Sequence, residues 1–265
     1  NANNTPYNAT VASNNLKAEN FDKTMGYETF DNNRSARFTE LFNAQPGKYT
    51  YADFKKIKYD AQYPQKFMFP TKIDSLFLLD EGKNPEIASL IGTLKAWNRN
   101  TEIDSKGAGL FAAIYYKIYH QYRTIGFNKT LSIAECETIF KEIKAELLTN
   151  FGKTDISLGE FQKLVRGNKE LPLSGMADVI RAMYSVPHTG GKVKGYQGES
   201  YISLVKFKKG QLPEIESVIN YGASNHPESK HYDDQMEMFV NQKLKPMTLD
   251  KAKVLAEAER VYNPK

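Results

Sequence analysis

The sequence contains one cysteine, Cys136, among its 265 residues. A single cysteine excludes an internal disulfide framework and any metal site built from several cysteines. Because its neighbours follow an apolar helical pattern, we expect Cys136 to be a small buried side chain. Long apolar runs are also missing, and none approaches the ~20 residues that cross a bilayer. The polar residues 1–5 do not resemble a signal peptide. We therefore expect a soluble chain of undetermined compartment.

Familiar catalytic and metal-binding motifs are absent as well. The 4 histidines include no pair at the i, i+4 spacing of a helical zinc site, and no Gly-x-Ser-x-Gly motif occurs. The 36 Lys and Arg exceed the 31 Asp and Glu by only 5, and they are scattered along the chain. Without an arginine-rich segment or an RNA-binding aromatic signature, we expect an ordinary solvated surface and no nucleic-acid partner.

The composition that is present, 40% hydrophobic and 25% charged residues, is typical of one large globular domain or two small ones. Residues 1–33 differ from the rest because they are polar and rich in asparagine, a turn-forming residue. A polar opening without Met is typical of a cut inside a larger protein. We therefore treat the sequence as a possible fragment.

The order of periodic patterns along the chain predicts an α+β fold. Apolar residues at helical spacing predict helices over residues 35–44, 51–59, 74–79, 85–97, 107–122, 133–149 and 158–165. The aromatic residues on these helices are expected to pack in the core. Alternating β-formers predict strands over residues 199–206 and 213–221, and a Lys- and Glu-rich helix is predicted over residues 248–262. This divides the chain into a loop (1–33), a mainly helical part (34–185) and a part with strands and a C-terminal helix (195–265).

Two pairs of short motifs are more specific than these patterns. Asn-Ala-Asn-Asn-Thr-Pro at residues 1–6 is followed by Asn-Arg-Ser-Ala-Arg at residues 33–37. Near the other end, His-Tyr-Asp-Asp-Gln at residues 231–235 is followed by Lys-Pro-Met at residues 245–247. In order and spacing these motifs resemble the β-chain of penicillin acylases and acyl-homoserine-lactone acylases. The resemblance runs from the first residue nearly to the last.

The resemblance implies an αββα N-terminal-nucleophile amidohydrolase, of which this chain is the C-terminal portion of the β-chain. Family members attack an amide with a Ser whose own α-amino group is the base. Because Asn1 is a poor nucleophile, the reacting Ser is expected upstream, and the chain alone is expected to be inactive. By its place in the family motif, Asn3 is the residue whose side-chain amide stabilises the oxyanion.

The family also places an arginine at a helix start, where it orients the active-site asparagine. Arg34 and Arg37 both match, since they are one helical turn apart and share a face. We prefer Arg34 because it lies at the start of the predicted helix. The segment 231–235 matches a family segment far from the nucleophile in sequence, so we expect it to anchor the C-terminal part and to have no acid or base role.

The resemblance also carries implications for ligands, partners and location. No cofactor is expected; some relatives hold a structural calcium with an Asp where this chain has Asn14, whose neutral oxygen weakens the case for calcium. The implied partners are an N-acyl amide substrate, of penicillin or acyl-homoserine-lactone type, and the upstream β-chain and α-chain segments of the same precursor. The implied location is periplasmic or secreted, with no membrane span.

A second class of function stays open, namely a non-catalytic extracellular module that binds glycans or acts as a scaffold. It is suggested by the 16 tyrosines and the many asparagines. Most of the tyrosines fall on apolar faces of predicted helices, which favours packing over an exposed platform for sugars.

Overall fold

The computed structural model of the chain describes residues 3–8, 12–45, 47–122 and 129–263. The first helices are α1 (Asn33–Ala44), α2 (Tyr51–Lys58), α3 (Ala88–Lys95), α4 (Lys106–Tyr122), α5 (Ile133–Phe151) and α6 (Leu158–Phe161). They are followed by β1 (Gln162–Arg166), β2 (Lys169–Pro172), β3 (Met183–Pro187), β4 (Val193–Gly198), β5 (Tyr201–Lys206), β6 (Glu214–Ile219), α7 (Met236–Val240), β7 (Lys245–Met247) and α8 (Lys251–Glu257). Most helices precede the strands, which confirms the predicted α+β organisation.

The segment before α1 is irregular, as predicted. It consists of 3-10 turns at Pro6–Asn8, Ala12–Asn14, Ala18–Asn20 and Lys23–Met25. Helix α1 then begins at Asn33 because the side chain of Asn32 accepts a hydrogen bond of 2.9 Å from the backbone N–H of Ser35. A side chain that satisfies a free N–H in this way is a strong helix start.

The main core is built around α4, which has 11 of its 17 residues buried. The ring of Phe111 lies 4.7 Å from that of Trp97 and 5.7 Å from that of Phe67, measured between centroids. Close packing extends to the backbone, since a Cβ on Gly109 would lie 2.4 Å from the carbonyl oxygen of Ile156. Only glycine allows this approach of α4 to the segment before α6.

Helix α5 packs against α4 and carries the single cysteine. Cys136 is 0% exposed, and burial raises the pKa of its thiol to about 12. The prediction of a small buried side chain is therefore confirmed.

A four-stranded sheet in the order β2-β1-β4-β3 follows the helices, and part of it corrects the predicted helix over residues 158–165. The capping box of Ser157 and Glu160 does start a helix. The helix stops at Phe161 because the next residues pair with β2, with Arg166 opposite Lys169 across a two-residue turn. Gly167 in that turn has a φ of 56°, a conformation that glycine adopts readily.

A second sheet has the order β5-β6-β7. It contributes Ile202 and Val218 to a smaller core that also contains Leu164 and Met183 of the first sheet. Strands β5 and β6 confirm the two predicted strands with slightly shorter bounds, and β7 was not predicted. The final helix is shorter than the predicted range 248–262. Helix α8 has no buried residue, and the side chain of Asp250 caps its start by accepting from the backbone N–H groups of Ala252 and Lys253.

Among the described residues, no helix is long and apolar enough to cross a membrane.

Candidate active site

The first turn of α1 brings the two preferred site residues together. Arg34 donates a hydrogen bond of 3.3 Å from Nη1 to the side-chain oxygen Oδ1 of Asn3. The backbone carbonyl of Asn3 also accepts a bond of 3.2 Å from the side chain of Asn32, the residue that caps α1. Asn3 is thus held at both its side chain and its main chain by neighbouring residues of one helix start.

The loop around Asn3 has a defined local shape. Asn3 has a left-handed backbone with a φ of 55°, which asparagine tolerates better than most residues. The side chain of Asn4 donates to the backbone carbonyls of Asn8 and Thr5, at 2.6 and 3.2 Å, and so closes the turn. Thr5 is 3% exposed. The two adjacent asparagines therefore differ, because Asn3 contacts Arg34 whereas Asn4 shapes the loop.

A carboxylate far away in sequence holds the other side of Arg34. Its Nε donates a hydrogen bond of 3.0 Å to Oδ1 of Asp178. The second oxygen of Asp178 accepts from both the backbone N–H and the side chain of Asn33, at 2.9 and 2.8 Å. Asn33 is fully buried, and its own side-chain oxygen accepts from the backbone N–H of Met68 at 2.8 Å. Three donors from α1 therefore converge on one carboxylate.

Arg37, the alternative to Arg34, points to a different set of partners. Its Nε and Nη2 donate to the two carboxylate oxygens of Asp60, at 3.0 and 2.9 Å, and its Nη1 donates to Glu40 at 3.1 Å. The hydrogen bond to Asp60 raises the pKa of Arg37. Although the two arginines are one turn apart, the structure brings Arg34 and not Arg37 into contact with Asn3.

A largely apolar cavity of about 350 Å³ adjoins this cluster, and Arg34, Asp178 and Tyr184 form part of its wall. Burial raises the pKa of Tyr184; the nearby carboxylate of Asp178 adds to the effect and the guanidinium of Arg34 opposes it. The tyrosine is therefore a neutral hydrogen-bonding group beside the ion pair.

The segment 231–235 lies against the sheets and forms a separate cluster. The side-chain oxygen of Gln235 accepts from the backbone N–H of Ile219 in β6 at 3.2 Å. His231 contacts Asp234 at 2.8 Å, and the ring of Tyr232 stacks on the guanidinium of Arg166 at 4.4 Å. These contacts tie the C-terminal part to both sheets, which agrees with the interpretation of this segment as an anchor.

Asn14, the position considered for calcium in the sequence, lies in the irregular segment before α1. Asn14 is exposed in a short 3-10 turn. Within the described ranges, no group of three or more His, Cys, Asp or Glu side chains is arranged to hold a metal ion.

Sequence reasoning did not find Asp178 or Asn33. Asp178 lies 144 residues from Arg34, and a single Asp in a loop carries no local signal of its partner. Asn33 lies inside the recognised motif, but a buried asparagine cannot be told from a capping one without the fold.

Comparisons with known proteins agree with the motifs. The sequence matches the penicillin amidase family model over residues 1–256. Acyl-homoserine lactone acylase PvdQ of Pseudomonas putida is 25% identical over 201 residues, which are 68% of this chain and 25% of that protein. PvdQ of Pseudomonas fluorescens is 27% identical over 109 residues, which are 40% of this chain and 14% of that protein. The chain thus spans a quarter or less of the length of these curated relatives.

A solved structure of thermostable penicillin G acylase from Alcaligenes faecalis is also similar, with a TM-score of 0.45 and 13% identity over 95% of this chain and 56% of that chain. The resemblance inferred from the short motifs at both ends is confirmed by the match to the family model. Because that match covers residues 1–256, nearly the whole sequence, the chain belongs to the penicillin amidase family.

Proposed function

We propose that this chain supplies the oxyanion-stabilising part of an amidohydrolase that cleaves the amide bond of N-acylated small molecules. The observation that carries the proposal is the contact between Arg34 Nη1 and Asn3 Oδ1. Because the carboxamide oxygen of Asn3 accepts from the guanidinium, its NH₂ group is the end of the side chain that can donate to a substrate carbonyl.

The charge of Arg34 supports this role in two ways. A hydrogen bond from a guanidinium is stronger than one between neutral groups, so it holds the amide plane more firmly. It also polarises the amide, which makes the N–H a better donor to a developing negative charge. A donor placed about 3 Å from an oxyanion lowers the barrier by ~3 kcal/mol. Asn3 is accordingly the catalytic residue of this chain, and Arg34 orients it.

The attacking group belongs to the rest of the protein in this proposal. An N-terminal Ser upstream, with its own α-amino group as base, forms the bond to the amide carbon. The upstream β-chain and α-chain segments of the precursor are therefore partners of this chain, and the αββα fold is completed by them. Supporting this, the matched relatives are acylases of which the chain covers only a part.

The proposed substrates are N-acyl amides of penicillin or acyl-homoserine-lactone type. The support is family membership and the similarity to acyl-homoserine lactone acylases. Hydrolysis of an antibiotic amide and a periplasmic or secreted location follow from the same family resemblance and form part of the proposal.

The glycan-binding alternative is less well supported, because several tyrosines are buried in the protein core and cannot form a platform for sugars. Tyr63, Tyr116 and Tyr122 are 1%, 5% and 3% exposed. Binding of polysaccharide by a chain that never shows amidase activity with its upstream segments would favour this alternative.

The decisive experiment is an amidase assay of this chain alone and of the precursor with its upstream segments. We expect turnover of phenylacetylated and long-chain acyl amides only in the second case. In the complete protein, Asn3→Ala should lower kcat by about 10² to 10³ with little change in KM, since the lost interaction acts in the transition state.

The matched control is Asn20→Ala, an exposed asparagine of the same irregular segment, which should retain full activity. Turnover by the isolated chain would remove the need for an upstream nucleophile, and wild-type kcat in Asn3→Ala would remove Asn3 from the mechanism.

A further inference from the structure

We propose that Asp178 is a positioning residue for the proposed reaction, acting through Arg34 on the amide of Asn3. The inference rests on the proposed function and adds to it a residue that lies outside the motifs of the sequence. Asp178 accepts hydrogen bonds from Arg34 and from two groups of Asn33. It therefore fixes the first turn of α1, from which Arg34 reaches Asn3.

Both oxygens of the carboxylate are needed for this geometry. Oδ1 accepts from Nε of Arg34, and Oδ2 accepts from the main chain and the side chain of Asn33. With Nε held, the guanidinium plane is set, and its Nη1 can point to only a small region, which Asn3 occupies. The side chains of Arg34 and Asp178 are 18% and 14% exposed, so water competes little for these bonds.

The loop that carries Asp178 is itself held rigidly. On one side of Asp178, the carbonyl of Ala177 accepts a bond of 2.6 Å from the buried hydroxyl of Tyr63. Further back, the carbonyl of Gly175 accepts from the buried side chain of Gln162 at 2.7 Å. On the other side, Val179 is 0% exposed. A carboxylate mounted on such a loop positions Arg34 better than one on a mobile surface segment.

Backbone conformation adds a second, independent observation. Asp178 has a φ of 61° and Asn3 a φ of 55°, both in the left-handed region that L-residues avoid. The two residues that contact Arg34 from either side thus share a left-handed backbone, which Asn and Asp adopt more readily than most other residues.

Loss of Asp178 should therefore act on the chemical step more than on binding. Without the carboxylate, the guanidinium of Arg34 can rotate and the amide of Asn3 is no longer aligned with the substrate oxygen. We expect kcat to fall about 10- to 100-fold with KM within about twofold, a smaller loss than in Asn3→Ala because the amide donor is still present.

The test uses the complete, matured protein with Asp178→Asn as the first variant. Asparagine keeps the size and tolerates the backbone conformation, but its NH₂ must face either Arg34 or the donors of Asn33. The matched control is Asp60→Asn, because Asp60 accepts two hydrogen bonds from Arg37 one turn further along α1. We expect kcat to drop in the first variant and to stay near wild type in the second.

Two further measurements separate positioning from simple destabilisation. In the double variant Arg34→Ala with Asp178→Asn, kcat should be close to that of Arg34→Ala alone, because Asp178 acts through Arg34. If Asp178→Asn does not fold, Asp178→Gly removes the carboxylate and suits the left-handed backbone, and it should give the same kcat loss.

The outcomes for the variants of Asp178 and Asn3 test the positioning role and the proposed function separately. If Asn3→Ala is impaired but Asp178→Asn is fully active, the positioning role is wrong and the proposed function survives. Equal losses of kcat in the variants of Asp178 and Asp60, or additive losses with Arg34→Ala, would also overturn it. Wild-type activity in Asn3→Ala would remove both proposals together.

Discussion

Helices α1 and α4 show two different ways of holding a helix in place. In α4, the residues with little or no exposure are mainly apolar, and they include Leu110, Phe111 and Ile114. In α1, the buried residues are polar, Asn33 and Ser35, while the aromatic rings are outside. Hydrophobic burial is non-directional and stabilises the fold. Hydrogen bonds and ion pairs are directional, so the attachment of α1 fixes where Arg34 points.

The exposed side of α1 makes the contrast sharper. Phe38 and Phe42 are 47% and 45% exposed. The ring of Phe42 stacks with that of Phe38 on one side and with that of Tyr49 on the other. In α1, Asn33 is buried and the two phenylalanines are exposed. Because their rings remain largely in contact with water, they add little to the stability of the fold. Polar contacts therefore attach α1 to the rest of the chain, from Asn33 and Arg34 to Asp178 and from Arg37 to Asp60.

The largest expected effect is the loss of a core ring of α4. Phe111→Ala should lower the free energy of unfolding by about 3 to 5 kcal/mol, because it leaves a cavity among buried aromatic rings. The matched change on α1, Phe38→Ala, should lower it by less than about 1 kcal/mol. Urea unfolding of the two variants, followed by circular dichroism, measures the difference. Equal losses would show that the rings of α1 are as well packed as those of α4.

A smaller effect is expected from the polar attachment of α1. Asn33→Ala removes the side-chain partner of Met68 N–H and one donor to Asp178, so we expect a loss of about 2 kcal/mol. The control is Asn43→Ala, an exposed position of the same helix. Urea unfolding again provides the measurement, and indistinguishable midpoints for the two variants would mean that α1 is held in some other way.

The smallest effect concerns the start of the core helix α5, whose capping box includes Glu135. Hydrogen bonds from Lys129 and Ser132 lower the pKa of Glu135 to about 2. Because the pKa is lower in the folded state than in the unfolded state, this stabilisation is present above pH ~4.3 and disappears as the pH falls towards 2. The carboxylate is largely solvated, so screening keeps the contribution below about 1 kcal/mol.

This pH dependence can be measured by comparing wild type with Glu135→Gln from pH 6 to pH 2. The two stability curves should converge as the pH falls. Glu142→Gln, on the same helix outside the cap, serves as control. A difference between wild type and Glu135→Gln that stays constant over this range would contradict the assigned origin of the stabilisation.

The sequence was most informative where structure depends on neighbours along the chain. The helical spacing of Leu110, Phe111 and Ile114 predicted α4 because one helix face meets one core. The alternation in β5 predicted a strand for the same local reason. Asn3 and Arg34 were predicted as site residues from short motifs, and the structure places their side chains in contact.

What the sequence did not reveal depends on contacts between distant residues. Residues 162–165 have helix-compatible spacing after the capping box of Ser157, and only pairing with β2 and β4 makes them a strand. The turn at Gly167 and Asn168 was the one local signal of this hairpin, since a two-residue turn with glycine favours paired strands. Asp178 could not be predicted at all, because its role depends on a partner 144 residues away.

Because Cys136 is buried, an introduced surface cysteine can be labelled selectively in the folded chain. A thiol that is 0% exposed, with its pKa raised to about 12, stays protonated and out of reach of alkylating reagents. A cysteine introduced at the exposed position Asn20 would then be the single labelling site of the folded chain, suited to a dye that reports on the loop of Asn3. The rate at which Cys136 itself is alkylated would then report how often α5 opens.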